Sequence, residues 1–309
     1  MLPFFINGAA RGAAYALVAV GLVLIFRTSR VVNFAHGAVA TVAAFVFSAM
    51  RAHLTTVGAL LGGIGVAGAL GLLIERTTMR RLQERGAAAK LVATVGWLLV
   101  LQFGTGLVFG EQPRIVEPIL PVGSVPIGGV RIGYSQLALA AVMVASAVGL
   151  SLWLTRTRFG GSLRAVAEDR GSAQMLGVDA GRVTAAAWGV AGVLAGLAGI
   201  LYAPEVTLDA VSVTVLLFHA FAAALLANFT SIWGAVVAGV LLGGAEDTAQ
   251  YFYDRAGTRD LVMFAIILTA LLLRSEDGGN PVATATRRAV AKLGAGMPSL
   301  LRRRLGAAR

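Results

Sequence analysis

Three histidines, His36, His53 and His219, and no cysteine make up the chain's soft and imidazole chemistry in 309 residues. None of the three is spaced to share a metal ion. Without cysteine, disulfides, thiolate metal sites and cysteine nucleophiles are excluded. No G-x-x-x-x-G-K-[ST] run occurs, so nothing here cradles a nucleoside triphosphate. No nucleophile stands with a base as a membrane enzyme would need. What remains are polar groups inside apolar sequence: Asn33-Phe34-Ala35-His36-Gly37, His219 and Asn228. Polar groups at membrane depth are costly and face the protein interior or an aqueous cavity. A broken segment at that depth offers free backbone groups and a helix N-terminus to a passing carboxylate. Asn33, Ala35, His36, Gly37, His219 and Asn228 are therefore candidates for a translocation pathway. The competing explanation is that Asn33 and His36 cap helices, and that His219 is an interhelical hydrogen-bond partner. Glu246 and Asp247 fall where an apolar stretch ends, which suits an interfacial position better than a proton relay.

The elements that must position these residues are membrane spans. The chain is 57% hydrophobic and only 13% charged, with a mean hydropathy of +0.80, whereas a soluble domain carries about a quarter charged residues. A span needs about 20 apolar residues, and candidates are 4–26, 31–50, 56–74, 91–109, 134–155, 183–202, 211–229, 231–245 and 261–273, the last beginning nearer Thr258. The fold class expected is an all-α integral membrane protein, a polytopic helix bundle of about 8–9 spans that includes broken or re-entrant segments. The first segment reads as a span and not a removed signal peptide, since no basic n-region or cleavage site precedes it. The pairs Gly8/Gly12, Gly192/Gly196 and Gly239/Gly243 predict close helix crossings.

Of 26 Lys and Arg, 18 fall in three stretches: 75–90, 155–182 and from Arg274 onward. The other connections are richer in acid. That partition is what the positive-inside rule predicts, and it places the three basic stretches in the cytoplasm. Nucleic-acid binding is excluded, because the charge is divided by topology and not gathered on one face. Two places leave the path open. Arg27 and Arg30 before Asn33 fit either a short cytoplasmic turn, with the N-terminus outside, or a discontinuous helix at membrane depth. The short connection Asn228-Phe229-Thr230-Ser231 is equally ambiguous. The outer loop 110–133, with four prolines and a Gly128-Gly129 turn signal, is expected to form a small hairpin. A transmembrane domain over 1–276 and a basic tail over 277–309, disordered or lying on the membrane surface, complete the plan.

The long cytoplasmic loop 156–182 carries Arg158-Phe159-Gly160-Gly161-Ser162-Leu163-Arg164-Ala165-Val166-Ala167-Glu168-Asp169, then Ala173 and Met175-Leu176-Gly177-Val178. Ser162 is expected to cap a short helix. Arg164 and Glu168 are an i, i+4 pair, Leu163, Val166 and Ala167 share a face, and Gly177 marks a stop. A compact amphipathic helix between two spans suits docking into a groove of a cytoplasmic partner; an ordinary solvated loop is the plainer alternative.

This loop resembles the coupling loop of bacterial ABC importer permeases. The likeness extends through Val31 to Gly37, the Glu75-Arg76 step, Ala93-Thr94-Val95-Gly96, Leu194 to Gly199, Phe218-His219-Ala220-Phe221 and Ser231-Ile232-Trp233-Gly234-Ala235, in the order of the branched-chain amino acid permease family. The resemblance covers about residues 4–273. It implies a membrane subunit of an importer in a bacterial inner membrane, with its C-terminus cytoplasmic. The partners it implies are a second permease subunit, commonly a different chain, two cytoplasmic ATPase subunits and an extracytoplasmic solute-binding protein. This chain would bind no cofactor; ATP and Mg would be used by the ATPases. Gly160, Leu163, Arg164, Ala165, Ala173 and Gly177 match the coupling motif, and Glu168 completes the helix. Glu205, Asp209 and the 110–133 loop are candidates for docking the solute-binding protein. The chain departs from the family at Ala38, where an acid often follows His-Gly, and at Ala227-Asn228, where Gly-Gly is usual. Branched-chain or related amino acids are the solute the resemblance favours, and urea, short amides or other carboxylates remain open. An ion-coupled secondary transporter is the other class, and it calls for intramembrane ionisable residues, of which the spans hold few.

Overall fold

The computed structural model describes residues 1–127 and 130–276, so the Gly128-Gly129 turn and the basic tail from Asp277 lie outside the described residues. The elements are α1 (Leu2–Ser29), α2 (Ala35–Arg51), α3 (Thr56–Ile74), α4 (Ala87–Phe109), β1 (Ser124–Ile127), β2 (Val130–Gly133), α5 (Tyr134–Arg156), α6 (Arg158–Glu168), α7 (Arg170–Met175), α8 (Ala180–Tyr202), α9 (Leu216–Leu226), α10 (Ile232–Phe252) and α11 (Thr258–Glu276). Among the described residues, six helices are long and apolar enough to cross a membrane: α1, α3 continued to Met79, α4, α5, α8 continued to Glu205, and α10. Helices α2 and α9 are apolar but shorter. Met1–Met263 is one compact unit. A second begins at Phe264, and its described part continues α11 as apolar helix. The polytopic helical bundle expected from composition is the fold observed.

Helix α1 is the centre of the first unit, with Gly12 to Ile25 buried throughout. It packs most extensively against α10. There the sequence supplies no Cβ: one built at Gly12 or Gly243 would overlap the carbonyl of Gly239 or Gly8. The α3–α8 crossing works likewise, with Gly192 against the carbonyl of Ala67 and Gly71 against that of Trp188. Where lipid is as apolar as leucine, such close approach supplies the packing energy that burial from water cannot.

The bundle has two distinct ends. At the hairpin end, β1 and β2 pair antiparallel with Val125 opposite Ile132, and Arg114 bridges to Leu208. The end of α2 is tied there, Arg51 Nη1 donating to the Glu117 carbonyl at 2.6 Å. At the basic end, Trp188 Nε1 donates to Ser29 Oγ at 2.8 Å and Arg30 Nη2 to the Ala167 carbonyl at 2.8 Å.

Both ambiguous connections resolve into interrupted helices. Helix α1 stops at Arg30, whose φ of 53° is left-handed. The chain then returns into the bundle before α2 resumes. His36 packs onto Gly21, which lies eight residues, or roughly 12 Å, up α1 from Ser29. Helix α9 has 11 residues, roughly half a span. It joins α10 through Asn228 and Phe229, with φ of 56° and 53°.

Three local expectations need correction. Thr157, not Ser162, caps α6: its Oγ1 accepts from Gly160 N at 3.1 Å, while the Ser162 hydroxyl donates back to the Arg158 carbonyl. The helix starts earlier because Arg158-Phe159 stay helical, with Phe159 stacked on Trp153 at 4.6 Å. Arg164 and Glu168 form no ion pair among the described residues; Arg164 points to solvent. Finally, α10 does not stop at residue 245 but runs on to Phe252, so Glu246 and Asp247 are buried inside a helix and not at its edge.

Candidate functional site

The α6–α7 element is anchored from within. Leu163, Val166 and Ala173 are buried, as is Gly160, where a Cβ would overlap the backbone of Leu154. Glycine is therefore required for α6 to fold back against the end of α5. Asp169 caps α7, accepting from Gly171 N at 2.9 Å and from the Ser172 hydroxyl. Those bonds, the hydroxyl's first, hold its carboxyl below the usual carboxylate range. Asp179 caps α8 through Arg182 N, which draws its carboxyl down in the same sense. Arg170 crosses from α7 to the rest of the bundle, donating to Gln83 Oε1 at 2.8 Å and Thr184 Oγ1 at 3.3 Å. Burial pulls its pKa below the ordinary guanidinium value. Gly177 has a φ of 84°. Its N–H reaches the Gln174 carbonyl and that of Val178 the Ala173 carbonyl, each at 3.0 Å, the paired bonds of a Schellman stop. The outer face is Arg164, Glu168 and the tip, where Met175 and Leu176 are 83% and 84% exposed. Two adjacent apolar side chains on a firmly held polar element are a surface that has something to bury.

The second group of residues lies where the two interrupted helices meet. Asn33 is buried and its Oδ1 accepts from Ala35 N at 3.0 Å, closing a local turn just ahead of α2. Ala35 and His36 are also buried, and His36 Nε2 has no hydrogen-bond partner. Gly37 lies against Thr214 and Leu217 at the start of α9, and Thr41 Oγ1 shares a hydrogen bond with Thr214 Oγ1 at 2.9 Å. Phe34 faces Phe221, Phe221 faces Phe229, and Phe229 packs on Phe26 at 4.7 Å. The two motifs are thus one structural unit. Asn228 sits exposed in the left-handed turn that closes it.

His219 stands apart from His36 and belongs to a polar cluster that sequence reasoning missed. Its ring stacks on Tyr15 at 4.7 Å, Nδ1 lies 3.3 Å from the Val215 carbonyl, and Nε2 lies 3.6 Å from Glu246 and 3.9 Å from Asp260. Beside it Asp247 pairs with Arg11 at 2.6 Å and Arg259 at 2.9 Å. Arg11, Tyr15, Tyr202, His219, Arg259 and Asp260 line a cavity of about 510 Å³. Glu246 is buried with neither carboxylate oxygen hydrogen-bonded. Few ionisable groups were expected inside the spans; Arg11, Glu75, Glu246 and Asp247 correct that, all four on long helices. The available signal was a single Arg in the apolar run of α1. Glu205 and Asp209 occupy the hairpin end, where Asp209 caps its own turn through Val211 N and Ser212 N, each 2.7 Å. Among the described residues no group of three or more His, Asp or Glu could hold a metal ion.

The family described as "Branched-chain amino acid transport system / permease component" matches residues 4–271. The chain is 29% identical to the high-affinity branched-chain amino acid transport system permease protein BraD of Pseudomonas aeruginosa, over 88% of this chain and 94% of that one. It is 28% identical to the corresponding permease protein LivH of Escherichia coli K12, over 86% and 91%. Among solved structures it is similar to "PsaBC from Streptococcus pneumoniae in complex with Fab", with a TM-score of 0.49 and 13% identity over 86% of this chain and 90% of that one. Matched by that family's model from residue 4 to residue 271, this chain of apolar helices belongs to the branched-chain amino acid transport system permease family.

Proposed function

We propose that this chain is the pathway-forming subunit of an ABC importer for a small polar solute, most simply a branched-chain or related amino acid. The observation that carries the coupling part is the α6–α7 element: anchored inward by Leu163, Val166, Ala173 and Arg170, and apolar outward at Met175 and Leu176. Placed in the cytoplasm by the surrounding basic residues, it is the part a cytoplasmic ATPase can grip and push. Two ATPases, a second permease subunit and an extracytoplasmic solute-binding protein complete the importer, and ATP hydrolysis belongs to the ATPases. The hairpin end then faces outward, where Glu205 and the 110–133 loop present polar groups to the binding protein.

The amino-acid class is supported by the chemistry of the cavity lined by His219. An α-amino acid presents one cation and one anion close together. Asp254 and Asp260 at the cavity wall suit an ammonium, and Arg11 and Arg259, which share Asp247, suit a carboxylate. Urea or a short amide carries no ionised group to match these side chains. In proteoliposomes holding the complete importer and its binding protein, leucine uptake should be suppressed by excess valine or isoleucine and not by urea or acetamide. Suppression by urea or acetamide alone would reassign the solute.

A further inference from the structure

Behind the α6–α7 element lies a cavity of about 310 Å³, walled by the end of α1, Glu75, Met79 and Gln83, Lys90 of α4, Val166 to Arg170, and Thr184. One group in it serves neither the coupling surface nor the pathway. Glu75 lines the cavity, is 0% exposed, and neither carboxylate oxygen has a hydrogen-bond partner. A carboxylate removed from water without a partner is strongly destabilising. The backbone around it is also unusual. Glu75–Met79 is a π-helical turn, closed by Arg80 N donating to the Glu75 carbonyl at 2.7 Å, and such turns gather at functional sites.

The same cavity holds four cations, Arg27, Arg30, Lys90 and Arg170. Arg30 and Arg170 are committed, to the Ala167 carbonyl and to Gln83 with Thr184. Arg27 and Lys90 make no ion pair among the described residues. Of the other two acids, Asp169 caps α7 and Glu168 lies exposed on α6. Met79 and Val166 supply buried apolar wall. A buried carboxylate, uncommitted cations and apolar surface between them complement a small zwitterion with an apolar side chain.

We infer that this cavity is a cytosolic binding site for an apolar α-amino acid, Glu75 receiving the ammonium and Arg27 with Lys90 the carboxylate. The inference rests on the solute class proposed above, here met on the side to which it is delivered. Because Val166 and Ala167 of α6 form one wall, an occupied cavity ties α6 to α1 and to the π-turn. That restrains the element the ATPase must move, so delivered solute slows further import.

The test uses the whole importer in nanodiscs without its solute-binding protein. Binding of radiolabelled leucine is measured, with 4-methylpentanoate, 3-methylbutylamine and inorganic phosphate as competitors. Leucine is expected to bind saturably. Each half-molecule should compete about tenfold or more weakly, because each forfeits one charge pair. Glu75→Gln and Lys90→Gln should each weaken leucine about tenfold, and leucine should lower the ATPase rate of the wild type but not of Glu75→Gln. Lys90 is only half-buried, so its variant keeps the test decisive should Glu75→Gln fail to fold. Unchanged leucine binding in Lys90→Gln, or phosphate displacing leucine better than 3-methylbutylamine and 4-methylpentanoate do, would overturn the site. Binding-protein-dependent uptake by the same preparation separates the two proposals. Leucine uptake without Glu75- or Lys90-dependent binding defeats the cavity alone, and no leucine uptake at all defeats the substrate class.

Discussion

Asp247 illustrates how single residues carry this bundle. It holds Arg11 of α1 and Arg259 at the start of α11 at 2.6 and 2.9 Å, joining segments more than two hundred residues apart in sequence. Asp247→Asn removes the charge both guanidiniums share. We expect a loss of roughly 1–3 kcal/mol, since the group is largely but not wholly buried, read as a lowered unfolding midpoint in detergent. A second residue-scale expectation concerns Gly160, where any Cβ meets the Leu154 backbone. Gly160→Val should abolish uptake while Gly161→Ala, which meets nothing within 4 Å, leaves it intact. Equal uptake by the two would refute the close approach. The sequence exposed Asn33 and His36 readily, because they interrupt an apolar run. It concealed Arg11, Glu75 and Glu246, because one charge in a long apolar window barely changes its mean. Whether a carboxylate is then buried depends on helices that only folding brings together.

At the scale of elements, close crossings and caps decide geometry. Gly239 lies against the backbone of Ala16, whereas Gly65 has open space. Gly239→Val should force α1 and α10 apart, costing at least about 1–3 kcal/mol as overpacking does. Gly65→Val should be tolerated, and comparing their thermal stabilities checks the crossing. The α7 cap gives a pH expectation. Hydrogen bonds from Ser172 and Gly171 depress the Asp169 carboxyl, so its contribution is fully present above the unfolded value near pH 4. It disappears as pH falls through the lower folded value. Amide exchange at Gly171, corrected for intrinsic rate, should therefore stay slow down to about pH 4 and rise below it. Most helices were legible because apolar length alone sets a span. The end of α10 was not, because Thr248 to Phe252 stay helical where hydropathy has already fallen. The start of α6 was missed because two threonine- or serine-led starts were equally good locally, and the Trp153–Phe159 stack selects Thr157.

For the molecule as a whole, the proposed function sets the basic end of the bundle against cytoplasmic partners and the hairpin end toward the exterior. The central claim is that force enters through the tip of α6–α7 and reaches the interrupted helices through α1, α8 and Arg30. Its sharpest test is a charge placed on that tip, where nothing among the described residues covers Met175 or Leu176. Met175→Asp/Leu176→Asp should leave the permease folded, with an unchanged unfolding midpoint. In proteoliposomes with the ATPases and binding protein, ATP-dependent uptake should fall about tenfold or more as a buried apolar contact becomes charged. Uptake equal to the wild type, from a complex of the same composition, would contradict the account.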